Sequence, residues 1–438
     1  MKTAPSVSRP QLKKTVTGTG FFCLAFGSMI GVGWITTLGD WLQPAGPVGA
    51  IAAFIAGGGL MLLIGLCYAE LTPMMPVTGG EVAYAYRSLG TGKAFWVGWF
   101  LAFGYISVCA FEAVSIGIVS GYLLPGLDVV PLYTIHGYQV YLPHLVLAVF
   151  FTALIGWINY RGINVAIKFQ VGLTALLVLC VSCFVVAGLM NGSATNLEPY
   201  FGSPDKSFSW ADFWPGFLTV FVMAPFWFVG FDTIPQTAEE HNAPRLIKKL
   251  GLFIVWAIAG STVFYVLVIL AASLVSPWQS LVDQKLPTAA AFRSAFESDW
   301  LANLVLTAGL IGLLTSWNGF FIAGTRVLFA LGRGHIIGSS FGQVHPQHGT
   351  PTKAIWFCSI VTALGACLGK GALIAFIDVG SFCIAFAFLG VSLSLLKLRN
   401  IAPDMERPYR LPFGKTVAIL AAAGSLLILL ALLIPGSP

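Results

Sequence analysis

Seven residues near the start of the chain, Gly27-Ser28-Met29-Ile30-Gly31-Val32-Gly33, place three glycines inside an apolar stretch. They lie in the middle of an apolar run from about Thr19 to Leu42, which is long enough to cross a bilayer as a helix. Glycine weakens a helix interior by roughly 1 kcal/mol relative to alanine, so we expect a break here. A break frees backbone N–H and C=O groups that hydrocarbon cannot satisfy, whereas a bound polar molecule can.

A second apolar segment carries a similar interruption. It has Pro225 and Pro235 at its ends, Gly230 in its middle and the carboxylate of Asp232 at membrane depth. Proline removes a helix hydrogen bond, so this segment is also predicted to break. Asp232 is a functional candidate because an unpaired carboxylate is costly at this depth. The alternative is that it caps the second half-helix through the N–H of Ile234 and its neighbours.

The two breaks predict a binding site made largely of backbone. The second half of the first broken helix should present free N–H groups and a positive dipole end to an anion. Carbonyl groups before each break can accept hydrogen bonds from an ammonium group. Aromatic side chains at 226 and 228 are the ones we expect to contact a bound molecule, although packing or lipid contact is the alternative for them. The candidate residues are Gly27, Ser28, Ile30, Gly31, Val32, Gly33, Phe226, Phe228, Val229, Gly230 and Asp232.

Glu112 lies far from either end of a third apolar segment. Burial at this depth favours the protonated form of a carboxyl group, so proton uptake near neutral pH is a candidate role. Recognition of a cationic group is a second candidate role. The alternative is a neutral acid that is hydrogen-bonded to a neighbouring helix.

The composition indicates a polytopic membrane protein. Of 438 residues, 57% are hydrophobic and only 9% are charged, whereas soluble proteins have about 25% charged residues. A spanning helix needs about 20 apolar residues. We predict eleven spanning segments at 17–43, 48–74, 93–124, 144–160, 165–190, 212–241, 246–274, 301–333, 353–369, 372–397 and 412–434, with a short helix over Ala289–Phe296 outside them.

The distribution of basic residues supports this number of segments. With a cytoplasmic N-terminus, 19 of the 23 Lys and Arg residues fall on the cytoplasmic side, as the positive-inside rule requires. Eleven segments then place the C-terminus outside. We expect a multi-pass protein of the plasma (inner) membrane, with a cytoplasmic tail over residues 1–16.

Segments one and six are both interrupted, and they lie five positions apart in the order of the segments. Transporters often contain inverted repeats with discontinuous helices. The predicted fold is therefore all-α, with five-helix repeats at 17–190 and 212–397 in opposite orientations and an additional helix at 412–434.

Four stretches resemble the amino acid–polyamine–organocation superfamily of secondary transporters, which has the LeuT-type inverted-repeat fold. They are Gly27–Gly33, Tyr68–Leu71 with Gly79–Glu81, Gly230–Asp232 with Ala238–Glu240, and Thr325–Arg333. The resemblance runs from about residue 15 to about 400. The family usually has twelve helices, so eleven is a departure. The resemblance implies alternating-access transport of an amino acid, with the substrate between the broken parts of helices one and six.

The coupling ion stays open at this point. Many proton-coupled relatives carry a lysine midway along helix five, but here Lys168 is at the start of that helix and Leu173–Cys183 has no basic residue. In LeuT-like folds a sodium ion can lie between helix-one carbonyls and helix-eight hydroxyls, for which Thr315 and Ser316 are candidates, and Asn318 is a further pocket candidate. Proton-coupled transport or exchange of an amino acid is the leading hypothesis. A cationic amine or polyamine as substrate and sodium-coupled symport are the alternatives.

Charged residues at the predicted cytoplasmic rim suggest a salt-bridged gate, in which Glu70, Glu239 and Arg326 are candidates, or else solvated helix ends.

The histidines at 335, 345 and 348 fit no common zinc spacing, so we assign no metal and no cofactor. No catalytic motif of an intramembrane enzyme is present, and few mid-membrane charges are available for a channel. The expected partners are a small molecule, the lipid bilayer and a proton or sodium ion, without nucleic acid. The oligomeric state is left open.

Overall fold

The computed structural model describes residues 11–124, 126–202 and 210–433. The helices, numbered in chain order, are α1 (Gly18–Met29), α2 (Gly33–Thr36), α3 (Leu38–Met74), α4 (Gly80–Leu89), α5 (Thr91–Leu123), α6 (Leu142–Arg161), α7 (Ile163–Asn191), α8 (Trp210–Trp227), α9 (Thr233–Thr237), α10 (Leu250–Val275), α11 (Pro287–Phe296), α12 (Asp299–Arg333), α13 (Thr352–Ala366), α14 (Leu373–Ile401) and α15 (Gly414–Ala431). Two short strands, β1 (Pro131–Ile135) and β2 (Tyr138–Tyr141), and several short 3-10 helices complete the regular structure of the described residues.

The helices confirm an all-α polytopic membrane protein. Nine helical stretches of the described residues are long and apolar enough to span a bilayer, and two shorter apolar helices, Phe213–Trp227 and Thr352–Ala366, add to them. Together these eleven stretches correspond to the eleven predicted segments. The predicted short helix at 289–296 is confirmed as α11.

Spanning segment one is broken where its glycines predict. Helix α1 ends at Met29 and α2 begins at Gly33. The chain then continues through Thr37 into α3, which contains a kink at Gly46 with φ 64° and ψ 174°. The kink lies between Pro44 and Pro47, where helix hydrogen bonds are already interrupted.

Spanning segment six is broken at its glycine and not at its prolines. Helix α8 ends at Trp227 and α9 begins at Thr233, while Pro225 and Pro235 lie inside the two helices. Gly230 has a φ of +134°, a conformation that L side chains rarely adopt. Gly230 therefore lies within the break, where its positive φ turns the chain between α8 and α9.

Helices α5 and α12 cross the middle of the bundle. In the most apolar window of each, 83% of residues are buried, against 33% for α6 and α15. The side chains that α5 and α12 project inwards are therefore placed to contact the two helix breaks, while α6 and α15 form part of the outer surface.

A short β hairpin connects two of the spanning helices. Strands β1 and β2 form an antiparallel hairpin between α5 and α6. Its two turn residues, His136 and Gly137, both have positive φ, as a tight hairpin turn requires. The β-branched and aromatic residues in this stretch favour strands, which the hydropathy pattern did not reveal.

Glu70 of α3 holds the ends of α14 and the following loop in place. Its carboxylate accepts hydrogen bonds from Arg399, from Arg407 Nε at 3.1 Å and from the Leu411 amide at 2.8 Å. The Glu70 side chain is fully buried. The gate role predicted for Glu70 gains no contact here with α9 or α12, because both of its ionic partners follow or belong to α14.

We expect Glu70→Gln to lower the free energy of unfolding by about 3–5 kcal/mol, because two guanidinium groups would lose their buried counter-charge. Thermal unfolding in mild detergent measures the change. Glu406→Gln, an exposed residue in the same loop, is the matched control and should be near neutral. Equal midpoints for the two variants would contradict the structural role of Glu70.

Candidate functional site

The two helix breaks contact each other. A Cβ built on Gly230 would lie 2.8 Å from the Met29 amide nitrogen and 2.9 Å from the Ser28 Cβ, so only glycine allows this approach. The Tyr265 hydroxyl of α10 lies 2.9 Å from the Met29 carbonyl oxygen and 3.1 Å from the Trp227 carbonyl oxygen. The Tyr265 hydroxyl is therefore a hydrogen-bond donor shared between the last carbonyl of α1 and the last carbonyl of α8.

A cavity of about 40 Å³ lies at this junction. Residues of the first break, of α5, of α12 and of the end of α8 form its wall. Its lining residues are Ser28, Met29, Gly31, Val32, Gly33, Val108, Phe111, Glu112, Phe226, Trp227, Val229, Ser316 and Phe320. Seven of the predicted binding residues, counting Glu112 but not Ser316, are therefore brought together on its wall.

Glu112 is the ionisable side chain of this wall. A Cβ built on Gly31 would lie 2.8 Å from Glu112 Oε1 and 3.4 Å from the Ser316 hydroxyl oxygen. Glu112 is 2% exposed, and its Oε2 has no hydrogen-bond partner among the described residues. The carboxyl group thus faces the first break with one oxygen unpaired.

Trp227 separates the small cavity from a larger one. Its ring lies against Gly33, where an added Cβ would be only 1.9 Å from a ring carbon. Its Nε1 is buried and has no partner within the described part of the chain. Trp227, Phe226 and Val229 also line a second cavity of about 370 Å³, which Asp40 and Asp378 border. These three residues form the shared wall.

The other predicted binding residues lie beside the cavity. Phe228 packs on Phe54 and Tyr265, with ring centroids 6.2 and 5.7 Å apart. Gly27 faces Gln170 and Thr174 of α7. Ile30 and Gly230 are buried and are absent from the lining. Ile30 and Gly230 form the backbone of the two breaks and do not contact the cavity.

Asp232 stabilises the second break from within. Its Oδ1 accepts a hydrogen bond from the Gly230 amide at 3.0 Å and its Oδ2 accepts one from the Tyr105 hydroxyl at 2.6 Å. It makes no cap hydrogen bond to α9, so the expectation that it caps this helix is wrong. The reason is that its carboxylate points back to the break. Gln236 links this cluster to the buried carboxylate of Glu81.

A chain of amide side chains connects α6, α7 and α12. Asn159 donates to Asn318 at 3.1 Å, and Asn318 donates to Gln170 Oε1 at 2.7 Å. Gln170 Nε2 then donates to the Thr315 carbonyl at 3.0 Å and to the Cys23 carbonyl at 3.4 Å. Asn318 is therefore a member of a scaffold network and not of the cavity wall.

The hydroxyl groups proposed as cation ligands point in different directions. Thr315 Oγ1 bonds back to the Gly312 carbonyl at 2.8 Å, while Ser316 lines the cavity. The Gln170 amide lies between the carbonyls of α1 and α12. A neutral donor thus occupies the space between these carbonyls.

Two ion pairs lie at one end of the bundle, which we call the basic end and define by Arg326, Arg333, Glu239 and Glu240. Arg326 and Glu240 form a bidentate pair at 3.0 and 3.3 Å, and both side chains are fully buried. Arg333 and Glu239 pair at 2.7 and 2.9 Å, and Glu239 also accepts from the Thr78 amide at 3.0 Å. Solvated helix ends are therefore the wrong description for the first pair.

Backbone hydrogen bonds close the same end. The Val16 amide donates to the Glu240 carbonyl at 2.9 Å, and the Asn242 amide donates to the Val16 carbonyl at 2.9 Å. Val16 precedes α1, and both partners follow α9. The basic-end halves of the two broken helices are thus held together and against α12.

Sequence reasoning missed Tyr265, Gln170 and Tyr105. Each is a single polar residue inside an apolar helix that carries no motif. A usable signal exists, because a hydroxyl or amide at membrane depth must find a hydrogen-bond partner and a broken helix offers free carbonyls. Glu81, which the sequence offers only as part of a motif, is a further fully buried carboxylate.

Comparison with known proteins agrees with this architecture. A family model described as "Amino acid permease" matches residues 19–438. The branched-chain amino acid permease BcaP of Bacillus subtilis (strain 168) is 29% identical over 426 residues, which cover 93% of this chain and 86% of that protein. The methylthioribose transporter of the same organism is 27% identical, with 94% and 87% covered. The chloroplastic cationic amino acid transporter 6 of Arabidopsis thaliana is 26% identical, with 93% and 70% covered.

The family match extends over nearly the whole described chain, and each of these relatives is named as a permease or a transporter and not as an enzyme. The chain belongs to the amino acid permease family, within the amino acid–polyamine–organocation superfamily.

Proposed function

We propose that this protein is a secondary active transporter that carries a neutral amino acid through the bundle by alternating access. The observation that carries the proposal is the junction of the two helix breaks around one cavity. The first turn after a break leaves N–H groups without intrahelical acceptors, and the last turn before it leaves carbonyls. The carboxylate of a zwitterionic amino acid can accept from the free N–H groups, and its ammonium group can donate to the free carbonyls.

The wall of the cavity suggests the substrate side chain. Val108, Phe111, Phe226, Val229 and Phe320 are apolar, so they favour an aliphatic or aromatic side chain through the hydrophobic effect. One relative is named as a branched-chain amino acid permease. A transported amino acid of this kind needs no further charge in the pocket.

A cationic amine or polyamine is the second candidate substrate, because Glu112 is a carboxyl group in the lining and some relatives are named cationic amino acid transporters. Asp232 is a weaker candidate for reading such a group, since both of its oxygens already accept hydrogen bonds. Glu112 contacts Gly31, and Gly31 belongs to the break that would bind a substrate carboxylate. This position favours a neutral substrate.

The position of Glu112 beside Gly31 also supports proton coupling. An ionised Glu112 would repel a substrate carboxylate at Gly31, whereas a protonated Glu112 donates a hydrogen bond to it. Substrate binding and proton uptake would then favour each other. Exchange of one amino acid for another, without net proton movement, fits the same site.

The Gln170 amide argues for a proton rather than sodium. Sodium prefers a shell of oxygen ligands, but Gln170 Nε2 points at the Cys23 and Thr315 carbonyls. The Thr315 hydroxyl is also engaged with its own helix. We therefore propose transport that does not depend on sodium.

Alternating access would use the basic end as the inner gate. We propose that this end faces the cytoplasm and that the C-terminus lies outside the inner membrane, which the excess of Lys and Arg at this end supports. The five-helix repeats at 17–190 and 212–397 would rock against each other. Trp227 and Phe226 would form the outer gate, because they stand between the small cavity and the larger one.

Uptake into proteoliposomes tests the proposal. We expect saturable uptake of labelled aliphatic or aromatic amino acids, countertransport from preloaded vesicles, and unchanged rates when choline replaces sodium. Uptake should rise as the external pH falls, because the protonated form of Glu112 is the one that binds. Uptake of arginine or putrescine alone would overturn the neutral substrate, and chemical conversion of the substrate would overturn transport.

Glu112→Gln fixes this side chain in a neutral state. We expect proton-coupled uptake to fall at least tenfold, exchange to remain, and the pH dependence of exchange to disappear. Asp378→Asn is the matched control, because it removes a carboxylate from the larger cavity only. An unchanged pH dependence in Glu112→Gln would contradict the proton role.

Tyr265→Phe removes the hydroxyl that serves the carbonyls of both breaks. We expect a rise in KM of roughly tenfold, about 1.4 kcal/mol of binding energy, because the two breaks lose their common hydrogen-bond donor. Uptake kinetics measure the change. Tyr122→Phe, an exposed tyrosine of α5, is the control. Equal KM values in the two variants would show that the hydroxyl has no role at the site.

Arg326→Ala leaves Glu240 buried without its counter-charge, and we expect a loss of about 3–5 kcal/mol in unfolding free energy. The double variant Arg326→Met with Glu240→Leu should recover most of this stability but transport more slowly, since its inner gate no longer has the ion pair. The exposed pair Arg293–Asp299 is the control, and Arg293→Ala should cost less than about 1 kcal/mol. Normal transport by the double variant would exclude a gating role.

A further inference from the structure

An apolar groove of about 490 Å³ runs along the outer surface of α6 and α13, away from the cavities at the helix breaks. Trp157 and Trp356 border it and are 54% and 62% exposed. Ala153 and Gly156 of α6 line it on one side, with Gly156 packed closely against Ser359, and Ile360 of α13 lines it on the other. Helix α6 is long and apolar enough to span a bilayer, and α13 is a shorter apolar helix beside it. The exposed apolar residues of this groove therefore face hydrocarbon.

The groove ends at a cluster of basic residues. Tyr160 lines its end, and the Tyr160 hydroxyl lies 3.2 Å from His345 Nε2. The next residue, Arg161, places its guanidinium 5.3 Å from the centre of the Trp157 ring. Lys353 lies one helical turn before Trp356 on α13.

Two further observations place positive charge at the same end. The Lys13 ammonium group donates to the Gln347 carbonyl, in the loop that precedes α13. Burial and the neighbouring cations, which include Arg161 and Lys13, lower the pKa of His348. A proton on His348 would add to an existing concentration of positive charge.

The chain segments that carry this cluster contain no acidic residue to balance it. The sequence contains no Asp or Glu in residues 1–39, 129–197 or 334–377. The ion pairs of the described residues involve neither Arg161, Lys353 nor Lys13. We call Arg161, Lys353 and Lys13 the groove cations, and no carboxylate among the described residues pairs with them.

We propose that the groove binds an anionic phospholipid of the membrane, with an acyl chain between α6 and α13 and the headgroup phosphate on the groove cations. The apolar length and the charged end match the two parts of such a lipid. Basic pockets between spanning helices attract anionic headgroups in this way, and interfacial tryptophans border the headgroup level. A zwitterionic lipid would gain the acyl contact but not the net charge contact.

The test is thermal unfolding of the purified full-length protein in mild detergent, titrated with phosphatidylglycerol or phosphatidylcholine of the same acyl chains. We expect phosphatidylglycerol to raise the unfolding midpoint with at least tenfold higher apparent affinity. This measurement does not depend on transport, so it stands or falls separately from the proposed function. Equal effects of the two lipids would overturn the proposal.

Variants locate the site. Arg161→Gln with Lys353→Gln should weaken phosphatidylglycerol binding at least tenfold. Lys248→Gln with Lys249→Gln, which removes the same charge from exposed positions at the same end, should leave it unchanged. Ala153→Trp fills the groove and should also weaken binding while keeping the charges. Equal weakening by the two double variants would overturn the site.

Inorganic phosphate and a short-chain phosphatidylglycerol separate the sources of the anion. We expect inorganic phosphate to give no protection at lipid concentrations, and the short-chain lipid to bind more weakly than the long-chain lipid. Full protection by inorganic phosphate would show a free-anion site and overturn the lipid assignment.

Discussion

Backbone polar groups that hydrocarbon cannot satisfy are the constraint on which the rest of this structure depends. Two spanning helices stop in mid-membrane, and every freed N–H and carbonyl there needs a partner. Gly230 lets the two breaks approach, Asp232 takes up one amide, and Tyr265 takes up a carbonyl from each side. The surrounding helices are placed by this requirement, with α5 and α12 the most deeply buried spanning helices and both contributing side chains to the cavity at the breaks.

Sequence patterns predicted the elements better than they predicted the contacts. Long apolar runs and glycine clusters follow from local chemistry, so the number of spanning stretches and the positions of both breaks were accessible. Which side of a helix faces the cavity depends on a rotation of about 100° per residue, and this the sequence does not show. Phe228 therefore turned out to pack on Phe54, while its neighbour Trp227 covers the cavity. The β hairpin also lay outside what hydropathy can reveal.

The missed residues share a physical property. Gln170 and Tyr105 act through partners that are more than 120 positions away in the sequence, and Tyr265 joins Met29, 236 positions away, to Trp227, 38 positions away. A single amide or hydroxyl in an apolar helix has many candidate partners until the helices are packed. Glu81 illustrates the same limit, because its fully buried position depends on contacts of α4 with Gln236.

The ion pairs at the basic end carry their charges in a fixed arrangement, with arginines on the central helix α12 and glutamates beyond the short helix α9. If these surfaces separate, water reaches four charges that are at present largely shielded. Their attraction then falls off over a Debye length of about 8 Å at physiological ionic strength. Ionic strength inside the cell thus acts on the separated form far more than on the closed one, and a dilute cytosol would draw the two surfaces back together faster than a concentrated one.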